Sequence, residues 1–476
     1  MKSIETGSTN ENDISGSEDL PEGWKITYLG DVCTPPQYGW TTSSEKNAYG
    51  LKIVRTSDIS SGEIDWSTVP VCKEEPENID KFLLKQGDIL ISRAGSVGTS
   101  FIIKDCPRAV FASYLIRFRA LPSIETNYLG LFLKSRLYWD SIAGETIGIT
   151  IPNVNASKLK QIPIPLPPIA EQRRIVARVE ALLSHVDAAG DRLSRVPAIM
   201  KRFRQSVLAA ACSGRLTEEW REENPQIKSS SETLDTFFRS IHDDSSLKIL
   251  QKRTKSNETT PDFEWSFEIP DSWCWARLEK LAALEKYSIT DGPFGSNLKT
   301  EHYSQSGPRV IRLQNIGDGS FIDIKTHISQ AHFDTLHKHE IFPGDMVIGL
   351  LGDPIPRSCI IPEDIGPAIV KADCIRFKPN SDIALKEFLN YAINEPELRS
   401  QVTDSVHGVA RPRLNLTQIK NFTIPLPPLA EQHEIVRRVD LLFERADAIE
   451  REVAAAGRRC ERLTQAVMVK AFSGRL

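Results

Sequence analysis

Apolar residues recur at alternating spacings of four and three positions in two long stretches of the chain, residues 175–207 and 435–467. This spacing places the apolar side chains in one narrow stripe along an α-helix, which is typical of a coiled coil. Each stripe therefore needs a partner helix, and the other stripe is the most economical one. The residues assigned to helix pairing are Ile175, Val179, Leu182, Val186 and Leu193 in the first stripe and Ile435, Val439, Leu442, Ile449 and Val453 in the second.

The two stripes belong to an internal duplication. Residues 164–216 and 424–476 align without a gap, and 23 of the 53 positions are identical. The segment IPLPPIAEQ at 164–172 returns as IPLPPLAEQ at 424–432, and SGRL at 213–216 returns at 473–476. Prolines before the helix and a glycine after it are typical helix boundaries. Pro197 lies inside the first stripe, where we expect it to kink or break the helix near Leu193.

Upstream of each helix the chain is rich in short β-type segments separated by glycine turns. Similar anchors open both regions, LPEGW at 20–24 and IPDSW at 269–273, and IRF occurs in both at 116–118 and 375–377. One helix is expected within the first region, at residues 129–139. Residues 217–262 are charged and serine-rich, which is typical of a linker, with one amphipathic segment at 234–250.

These patterns predict an α+β fold with an internal pseudo-twofold repeat, in which two β-rich domains alternate with two long helices that pair with each other as a coiled coil. The alternative is that each stripe packs on its own globular neighbour. The predicted boundaries are a disordered acidic tail at 1–19, a first β-rich domain at 20–163, a central helical spacer at 164–216, a linker at 217–262, a second β-rich domain at 263–423 and a C-terminal helical spacer at 424–476.

Composition adds few constraints. The 476 residues carry a formal net charge of −4, which argues against a uniformly basic nucleic-acid sleeve, so any such site must be local. No run of 18 uncharged apolar residues occurs, so no membrane span is expected. The eight cysteines are scattered without a CxxC pair, as in a protein with reduced thiols in the cytoplasm.

Motifs for catalysis are missing from the sequence. It contains no GxxxxGK[ST] phosphate loop, no GxGxxG and no GxSxG. Three histidines, His332, His337 and His339, lie close together, but their spacing matches no zinc motif and fits a solvated polar face better. We therefore expect a binding protein without catalytic residues, bound cofactor or metal.

The chain resembles the specificity subunits of type I restriction–modification enzymes. The resemblance rests on the duplicated IPLPPxAEQ segments, on residues 200–225 (MKRFRQSVLAAACSGRLTEEWREENP) and on residues 463–476 (LTQAVMVKAFSGRL). The LPEGW opening and QGDILISRAGSVG at 86–98 fit as well. It implies that each β-rich domain is a target recognition domain that reads one half of a bipartite, asymmetric DNA site. It also implies that the two long helices pair as an antiparallel coiled coil.

The resemblance also implies a set of partners. Besides double-stranded DNA, two modification (methyltransferase) subunits would dock on the helices, and restriction (translocase/nuclease) subunits would join them. S-adenosylmethionine, ATP and magnesium would bind to these partner subunits, and the specificity subunit itself would be non-catalytic. The competing hypothesis is a coiled-coil scaffold whose β-rich modules bind proteins.

Candidate DNA-binding residues are polar, basic or aromatic side chains in glycine-flanked loops, because such side chains read base edges and phosphates. In the first domain they are Gln37, Tyr38, Thr41, Thr42, Arg55, Arg93, Ser96 and Thr99, and in the second Ser296, Asn297, Lys299, Arg312, Gln314, Asn315, Arg411 and Arg413. Arg55 and Arg312 occupy shared positions, which favours a framework or phosphate role over discrimination between bases.

Overall fold

The structure, a computed structural model, describes residues 20–46, 49–146, 154–242, 263, 265–403 and 413–476. The predicted tail at 1–19 and part of the predicted linker, 243–262, lie outside these residues. The chain divides into two compact units. Unit 1 comprises Met1–Arg195 and Val453–Leu476, and unit 2 comprises Val196–Glu452. Each unit contains one β-rich domain and segments of both long helices.

Among the described residues, unit 1 contains two four-stranded sheets and one two-stranded sheet. The strand orders are β2-β9-β6-β7, β3-β5-β4-β8 and β1-β10. Pairing is antiparallel except between β4 and β8, which run parallel. The strands are β1 (Lys25–Tyr28), β2 (Gln37–Tyr38), β3 (Ser44–Glu45), β4 (Lys52–Val54), β5 (Val71–Cys72), β6 (Ile89–Ser92), β7 (Ser100–Ile102), β8 (Ala109–Phe111), β9 (Leu115–Phe118) and β10 (Pro163–Leu166).

The helices of unit 1 differ from the sequence expectation at one place. The expected single helix at 129–139 is two helices, because Ser135 interrupts it and accepts a hydrogen bond from the Tyr138 N–H at 3.4 Å. A serine in this position satisfies a free N–H group at the start of a new helix. The helices are α1 (Thr56–Ile59), α2 (Ile79–Phe82), α3 (Thr126–Phe132), α4 (Arg136–Thr146), α5 (Ala156–Lys160) and the first part of α6 (Ile169–Cys212).

Unit 2 repeats the first and the two-stranded sheet of unit 1, and its other sheet keeps the parallel pair but has an additional strand beside it. Its strand orders are β12-β19-β16-β17, β14-β13-β18-β15 and β11-β20, and β13 runs parallel to β18 as β4 does to β8. The strands are β11 (Cys274–Arg277), β12 (Ile289–Asp291), β13 (Tyr303–Ile311), β14 (His327–Ile328), β15 (Glu340–Ile341), β16 (Met346–Gly349), β17 (Arg357–Ile360), β18 (Ala368–Val370), β19 (Cys374–Phe377) and β20 (Thr423–Leu426).

The helices of unit 2 include two in the region predicted to be a linker. The second of them, α8, buries Leu234 against the core of the unit, so this part of the region belongs to the packed structure. The described helices are α7 (Glu218–Glu223), α8 (Ser230–His242), α9 (Leu278–Leu281), α10 (Gln330–Phe333), α11 (Lys386–Asn394), α12 (Pro396–Thr403), α13 (Leu416–Asn421) and the first part of α14 (Leu429–Phe472).

A buried arginine–aspartate pair marks the same place in both domains. In unit 1 the Arg117 guanidinium lies 3.5 Å from the Asp88 carboxylate. In unit 2 Arg376 lies 2.6 Å from Asp345, and burial raises the pKa of Asp345 against the opposing effect of that arginine. The arginines come from the repeated IRF segments, so these segments are internal framework.

The two long helices pair within each unit, which confirms the predicted fold class. In unit 1 the first turns of α6 share a core with the last turns of α14, where Val179 and Phe472 are both fully buried. In unit 2 the order is reversed: Arg204 near the end of α6 contacts Asp447 and lies 3.0 Å from Glu450 of α14. The helices are therefore antiparallel. The alternative also holds in part, because the first turns of each helix pack on their own domain.

The predicted pairing positions differ in burial along the helices. Ile175, Val179, Ile435 and Val439 are buried, whereas Ile449 is 45% exposed. The others, Leu182, Val186, Leu193, Leu442 and Val453, are half-buried. The predicted break at Pro197 does not occur, since α6 is one helix from Ile169 to Cys212. Proline removes a single hydrogen bond to the carbonyl four residues earlier, and the neighbouring turns keep theirs.

In unit 2 the Glu434 carboxylate binds an arginine of α14 that also contacts the segment after α6. Glu434 accepts hydrogen bonds from Arg437 at 2.7 Å and Arg438 at 2.6 Å, and Arg438 also donates to the Leu216 carbonyl at 2.9 Å. The hydrogen bond from Arg437, followed by that from Arg438, lowers the pKa of Glu434 from 4.5 to about 2. The carboxylate therefore stabilises the folded state above pH 4.5, and this contribution disappears as the pH falls towards 2.

Replacing Glu434 with glutamine is expected to lower the free energy of unfolding at pH 7 by roughly 0.5–1 kcal/mol, as for partly exposed ion pairs. The difference from wild type should shrink between pH 5 and pH 3, because the wild-type carboxylate is then protonated in the unfolded chain. Urea unfolding of both proteins at several pH values measures this difference in unfolding free energy. A difference that stays constant down to pH 3 would contradict the role given to the charge.

Candidate functional site

The duplicated IPLPP segments form a strand before each helix. In unit 1, β10 pairs antiparallel with β1, and Pro165 lies opposite Ile26. In unit 2, β20 pairs with β11 in the same register, and Pro425 lies opposite Trp275. Because each of these sheets has two strands, both strands are edges, where a proline that lacks an N–H group is tolerated. The segments thus pair the first and last strands of each β-rich domain before the helix starts.

A buried glutamine fixes the start of each long helix to its domain. The Gln172 side chain accepts a hydrogen bond from the Glu125 N–H at 2.8 Å and donates to the carbonyls of Pro167 at 2.8 Å and Ser123 at 3.2 Å. Gln432 accepts from the Leu385 N–H at 2.8 Å and makes the matching donations. An amide can both donate and accept, which explains why glutamine suits this position.

The glutamate that precedes it accepts a hydrogen bond from the tryptophan of the domain's opening segment. Glu171 accepts from Trp24 at 3.2 Å, and Glu431 accepts from Trp273 at 2.8 Å. Glu431 additionally accepts from the Thr217 hydroxyl at 2.7 Å and from Arg221 at 2.6 Å. We use "helix joint" for the IPLPPxAEQ segment together with this tryptophan. The joint explains why both the IPLPPxAEQ segment and the opening segment with its tryptophan are repeated.

The repeated SGRL segment closes each unit against the same opening segment. Gly474 has φ +70°, and a Cβ atom there would lie 2.1 Å from the Pro21 side chain. Gly214 has φ +79°, and a Cβ atom would lie 2.5 Å from Pro270. Backbone conformation and lack of space both require glycine at these turns. The second SGRL copy therefore closes unit 1, and the first copy closes unit 2.

Three strands end side by side at one edge of each domain. In unit 1 the side chains at this edge belong to Tyr38, Arg93 and Tyr114, and the Arg93 N–H donates to the Tyr114 carbonyl at 2.9 Å. In unit 2 the Leu350 N–H donates to the Asp373 carbonyl, also at 2.9 Å. The strand registers are identical, which makes these positions equivalent. We call the two places strand-end sites, formed by Tyr38, Arg93 and Tyr114 in unit 1 and by Asp291, Leu350 and Asp373 in unit 2.

A glycine follows the first strand of each site. A Cβ atom on Gly39 would lie 2.2 Å from the Ala112 carbonyl oxygen, and one on Gly292 would lie 2.1 Å from the Lys371 carbonyl carbon. No side chain fits so close to backbone, so only glycine is possible. The loops that leave these glycines differ in sequence, WTTSSE at 40–45 against PFGSNL at 293–298. A common frame therefore presents different loops and different side chains.

The strand-end site of unit 1 is basic and aromatic. The Arg93 guanidinium lies over the Tyr38 ring at 5.0 Å, and the Tyr38 hydroxyl accepts a hydrogen bond from the Ala156 N–H at 3.1 Å. The Arg93 Nε is buried without a hydrogen-bond partner among the described residues. Tyr114 is 62% exposed. Aromatic rings and an arginine with an unused donor are well suited to a polar, planar ligand.

The strand-end site of unit 2 carries an ion pair and an exposed ring. Arg413 lies 2.7 Å from the Asp373 carboxylate and over the Phe294 ring at 5.8 Å. The Arg413 side chain is 54% exposed, and Phe294 is 46% exposed. Asp373 has φ +69°, a conformation that disfavours residues with a Cβ atom. The sequence candidates do not include Tyr114, Phe294 or Asp373, although Tyr114 and Asp373 stand just before the strands that carry IRF.

The other sequence candidates take different places. Gln37 donates to the Lys81 carbonyl at 2.7 Å and accepts from Arg117, and the Asn297 carbonyl accepts from the His332 ring at 2.8 Å. Thr41, Ser96, Asn297, Lys299 and Gln314 are exposed, whereas Thr42 and Thr99 are half-buried. Arg411 and the side chain of Ser296 lie outside the described residues.

The shared positions Arg55 and Arg312 act in the backbone frame. The Arg55 N–H donates to the Asp58 carboxylate at 2.8 Å, and the Arg312 N–H donates to the Asn315 side chain at 2.9 Å. Asn315 is fully buried, and its amide also donates to the carbonyls of Ile322 and Ile324. The described contacts of Asn315 are therefore those of a buried residue that supports the backbone.

A protein-family model described as the type I restriction modification DNA specificity domain matches residues 21–196 and 315–455. The chain belongs to this family. It is 32% identical over 345 residues to the EcoBI specificity subunit of Escherichia coli, a match that covers 71% of this chain and 64% of that subunit. It is 30% identical over 480 residues to the StySPI specificity subunit of Salmonella potsdam, covering 96% of this chain and 90% of that subunit.

Solved structures share the family fold. The HsdS subunit of Thermoanaerobacter tengcongensis superposes with a TM-score of 0.54 at 19% identity, covering 97% of this chain and 99% of that one. A chain solved in work on complex assembly and conformational transition of the type I R-M system superposes with a TM-score of 0.67 at 20% identity, covering 96% and 99%. Within the part of the chain that the structure describes, no helix has the length and apolar character needed to cross a membrane.

Proposed function

We propose that this chain is the DNA-recognition subunit of a type I restriction–modification complex, with one recognition domain for each half of a bipartite, asymmetric site. The observation that carries this proposal is the pair of strand-end sites. Two domains with one frame present different side chains at the same edge: an arginine with two tyrosines in unit 1, and an arginine–aspartate pair with a phenylalanine in unit 2. One fold with two chemistries suits a target whose halves differ.

We also propose that modification subunits dock on the long helices. The supporting observation is a set of exposed apolar side chains on helices that are otherwise charged. Such side chains are typical of protein interfaces. They are Ile199, Leu441 and Ile449 in unit 2 and Leu463 and Val469 in unit 1.

The proposed role leaves the chemistry to those partners. Methyl transfer to adenine would use S-adenosylmethionine on the modification subunits, and ATP and magnesium would act on the restriction subunits. This chain contributes the choice of sequence and not a catalytic residue. The helix joints support that role, because they hold each recognition domain rigidly to the start of a helix.

Adenine methylation mapped across the genome of a host that expresses this chain with its modification subunit tests the proposal. We expect methylation at one motif of two specified halves separated by a gap of fixed length and unspecified sequence. Replacing residues 20–163 by those of another family member should change one half alone. Methylation without such a motif would contradict the proposal, and a scaffold for protein partners would then be favoured.

A further inference from the structure

Arginine is the side chain best suited to reading guanine, because its two parallel N–H donors match O6 and N7 in the major groove. An arginine reads guanine well only when its guanidinium is already oriented, because fixing a long flexible side chain on binding costs conformational entropy. A reading arginine is therefore expected beside a group that orients it. Arg93 belongs to the strand-end site of unit 1, and Arg413 lies against Asp373 of the strand-end site of unit 2.

We propose that Arg93 and Arg413 each read a guanine, one in each half of the target, and that Tyr38 and Asp373 are the positioning residues that orient them. This assignment rests on the proposed function. It selects three of the sixteen sequence candidates, Arg93, Arg413 and Tyr38, and adds Asp373, which is not among them.

In unit 1 the orientation comes from stacking. The Arg93 guanidinium lies 5.0 Å from the centre of the Tyr38 ring, whose hydroxyl is held by the Ala156 N–H. Among the described residues no ion pair or side-chain hydrogen bond engages this guanidinium, and its buried Nε is without an acceptor. A buried unpaired donor is unfavourable unless a ligand completes it. The contact with the Tyr38 ring restricts where the guanidinium lies, and its N–H groups have no side-chain acceptor among the described residues.

In unit 2 the orientation comes from a carboxylate. Asp373 forms an ion pair with Arg413 at 2.7 Å although its backbone has φ +69°. A partly exposed ion pair contributes little to stability and does not compensate for an unfavourable backbone conformation. The pair is better explained by the position it gives to Arg413, a side chain that is 54% exposed.

The equivalence of the two sites strengthens the assignment. Tyr114 and Asp373 occupy the same strand position, and the segments that begin at Val154 and Leu414 lie at the same edge: the Val154 N–H donates to the Arg93 carbonyl at 3.1 Å and the Leu414 N–H donates to the Leu350 carbonyl at 2.9 Å. Unit 1 therefore places its arginine directly after β6, whereas unit 2 places it one residue before Leu414. The two arginines come to the same edge from different segments of their domains.

Selection from a randomised duplex DNA library by the purified complex of this chain with its modification subunit tests the assignment. Wild type should select a bipartite site with at least one specified guanine in each half. Arg93→Ala should remove the guanine preference at one position of one half, and Arg413→Ala should do so in the other half. Affinity for the selected duplex should fall about 5- to 150-fold in each case.

The positioning residues and a control complete the experiment. Asp373→Asn should weaken the same guanine preference that Arg413→Ala abolishes. Tyr38→Ala should weaken the guanine preference that Arg93→Ala abolishes. Tyr38→Phe keeps the ring and should retain that preference. Arg108→Ala is the control. Arg108 is an exposed arginine that precedes β8 and is not part of either site, so its removal changes the net charge by the same amount and should leave the motif unchanged. The unaffected half of the motif shows in each variant that the complex is folded.

Two results would overturn the inference. If wild type selects a bipartite site and both arginine variants keep every guanine, the assignment fails while the proposed function stands. If wild type selects no bipartite site, the proposed function fails and the assignment fails with it. A uniform loss of affinity in the variants with an unchanged motif would make these arginines phosphate contacts, which also overturns the assignment.

Discussion

Replacing Phe472 with alanine is expected to lower the free energy of unfolding of unit 1 by about 3–5 kcal/mol, as for other fully buried phenylalanines. The Phe472 ring lies at the end of α14, 5.3 Å from the Tyr128 ring and 5.6 Å from the Phe132 ring. The substitution leaves a cavity between the helix and the recognition domain, because the surrounding side chains are themselves fully buried. The last turn of α14 should then detach more readily from unit 1.

Hydrogen exchange followed peptide by peptide measures this effect. Amides of α3 and of the last turns of α14 should exchange faster in the variant, while peptides of unit 2 serve as an internal reference. Val469→Ala is the matched control, since Val469 lies on the same helix and is 47% exposed. If the alanine variant does not fold, Phe472→Leu replaces it in the measurement, and its loss of unfolding free energy should be much smaller. Equal effects of Phe472→Ala and Val469→Ala would contradict the packing described here.

Replacing Glu431 with alanine is expected to destabilise unit 2 by about 3–5 kcal/mol, because it removes the charge that pairs with Arg221 and leaves the Thr217 hydroxyl and the Trp273 ring N–H without this acceptor. Glu431 is 1% exposed and accepts hydrogen bonds from Thr217, Arg221 and Trp273. The equivalent change at Glu171 should cost about 1 kcal/mol, since a half-exposed carboxylate with weaker contacts contributes less. The Glu171 side chain is 31% exposed, and its hydrogen bond to Trp24 is longer at 3.2 Å.

The two helix joints thus provide a control for each other. Both variants should be compared by urea unfolding and by exchange of the amides in β1 and β11, the strands that follow the two tryptophans. Glu431→Gln keeps the size of the side chain and should cost less than alanine. Equal destabilisation by Glu171→Ala and Glu431→Ala would show that α7, which supplies Arg221, does not strengthen the joint of unit 2.

The asymmetry between the joints has a consequence for the region first predicted to be a linker. Arg221 in α7 and Leu234 in α8 are both part of unit 2, the former through Glu431 and the latter through the core. Serine-rich, charged sequence predicted a linker because it offers few apolar residues for a core. The few it has, including Phe237 and Phe238, lie on one face of α8 and pack against the domain.

The sequence alone determined the internal duplication, the positions and ends of the two long helices, and the β-rich character of the two domains. The continuity of the first helix through Pro197 came from the structure. These features come from local patterns: the four-three spacing, the prolines before each helix and Gly214 and Gly474 after them. The family resemblance came from the same segments. Glutamine and glutamate in IPLPPxAEQ were visible as repeated residues, but their role as buried hydrogen-bonding groups was not.

Only the tertiary structure decided which copy of each repeated segment contacts which domain. Pro21 contacts the turn at Gly474, and Pro270 contacts the turn at Gly214. The two copies are nearly identical in sequence, so either pairing satisfies the same local pattern, and the choice depends on contacts between residues far apart in the chain. The strand-end sites needed the structure for the same reason, because Arg93, Tyr38 and Tyr114 meet only when three separate strands end at one edge.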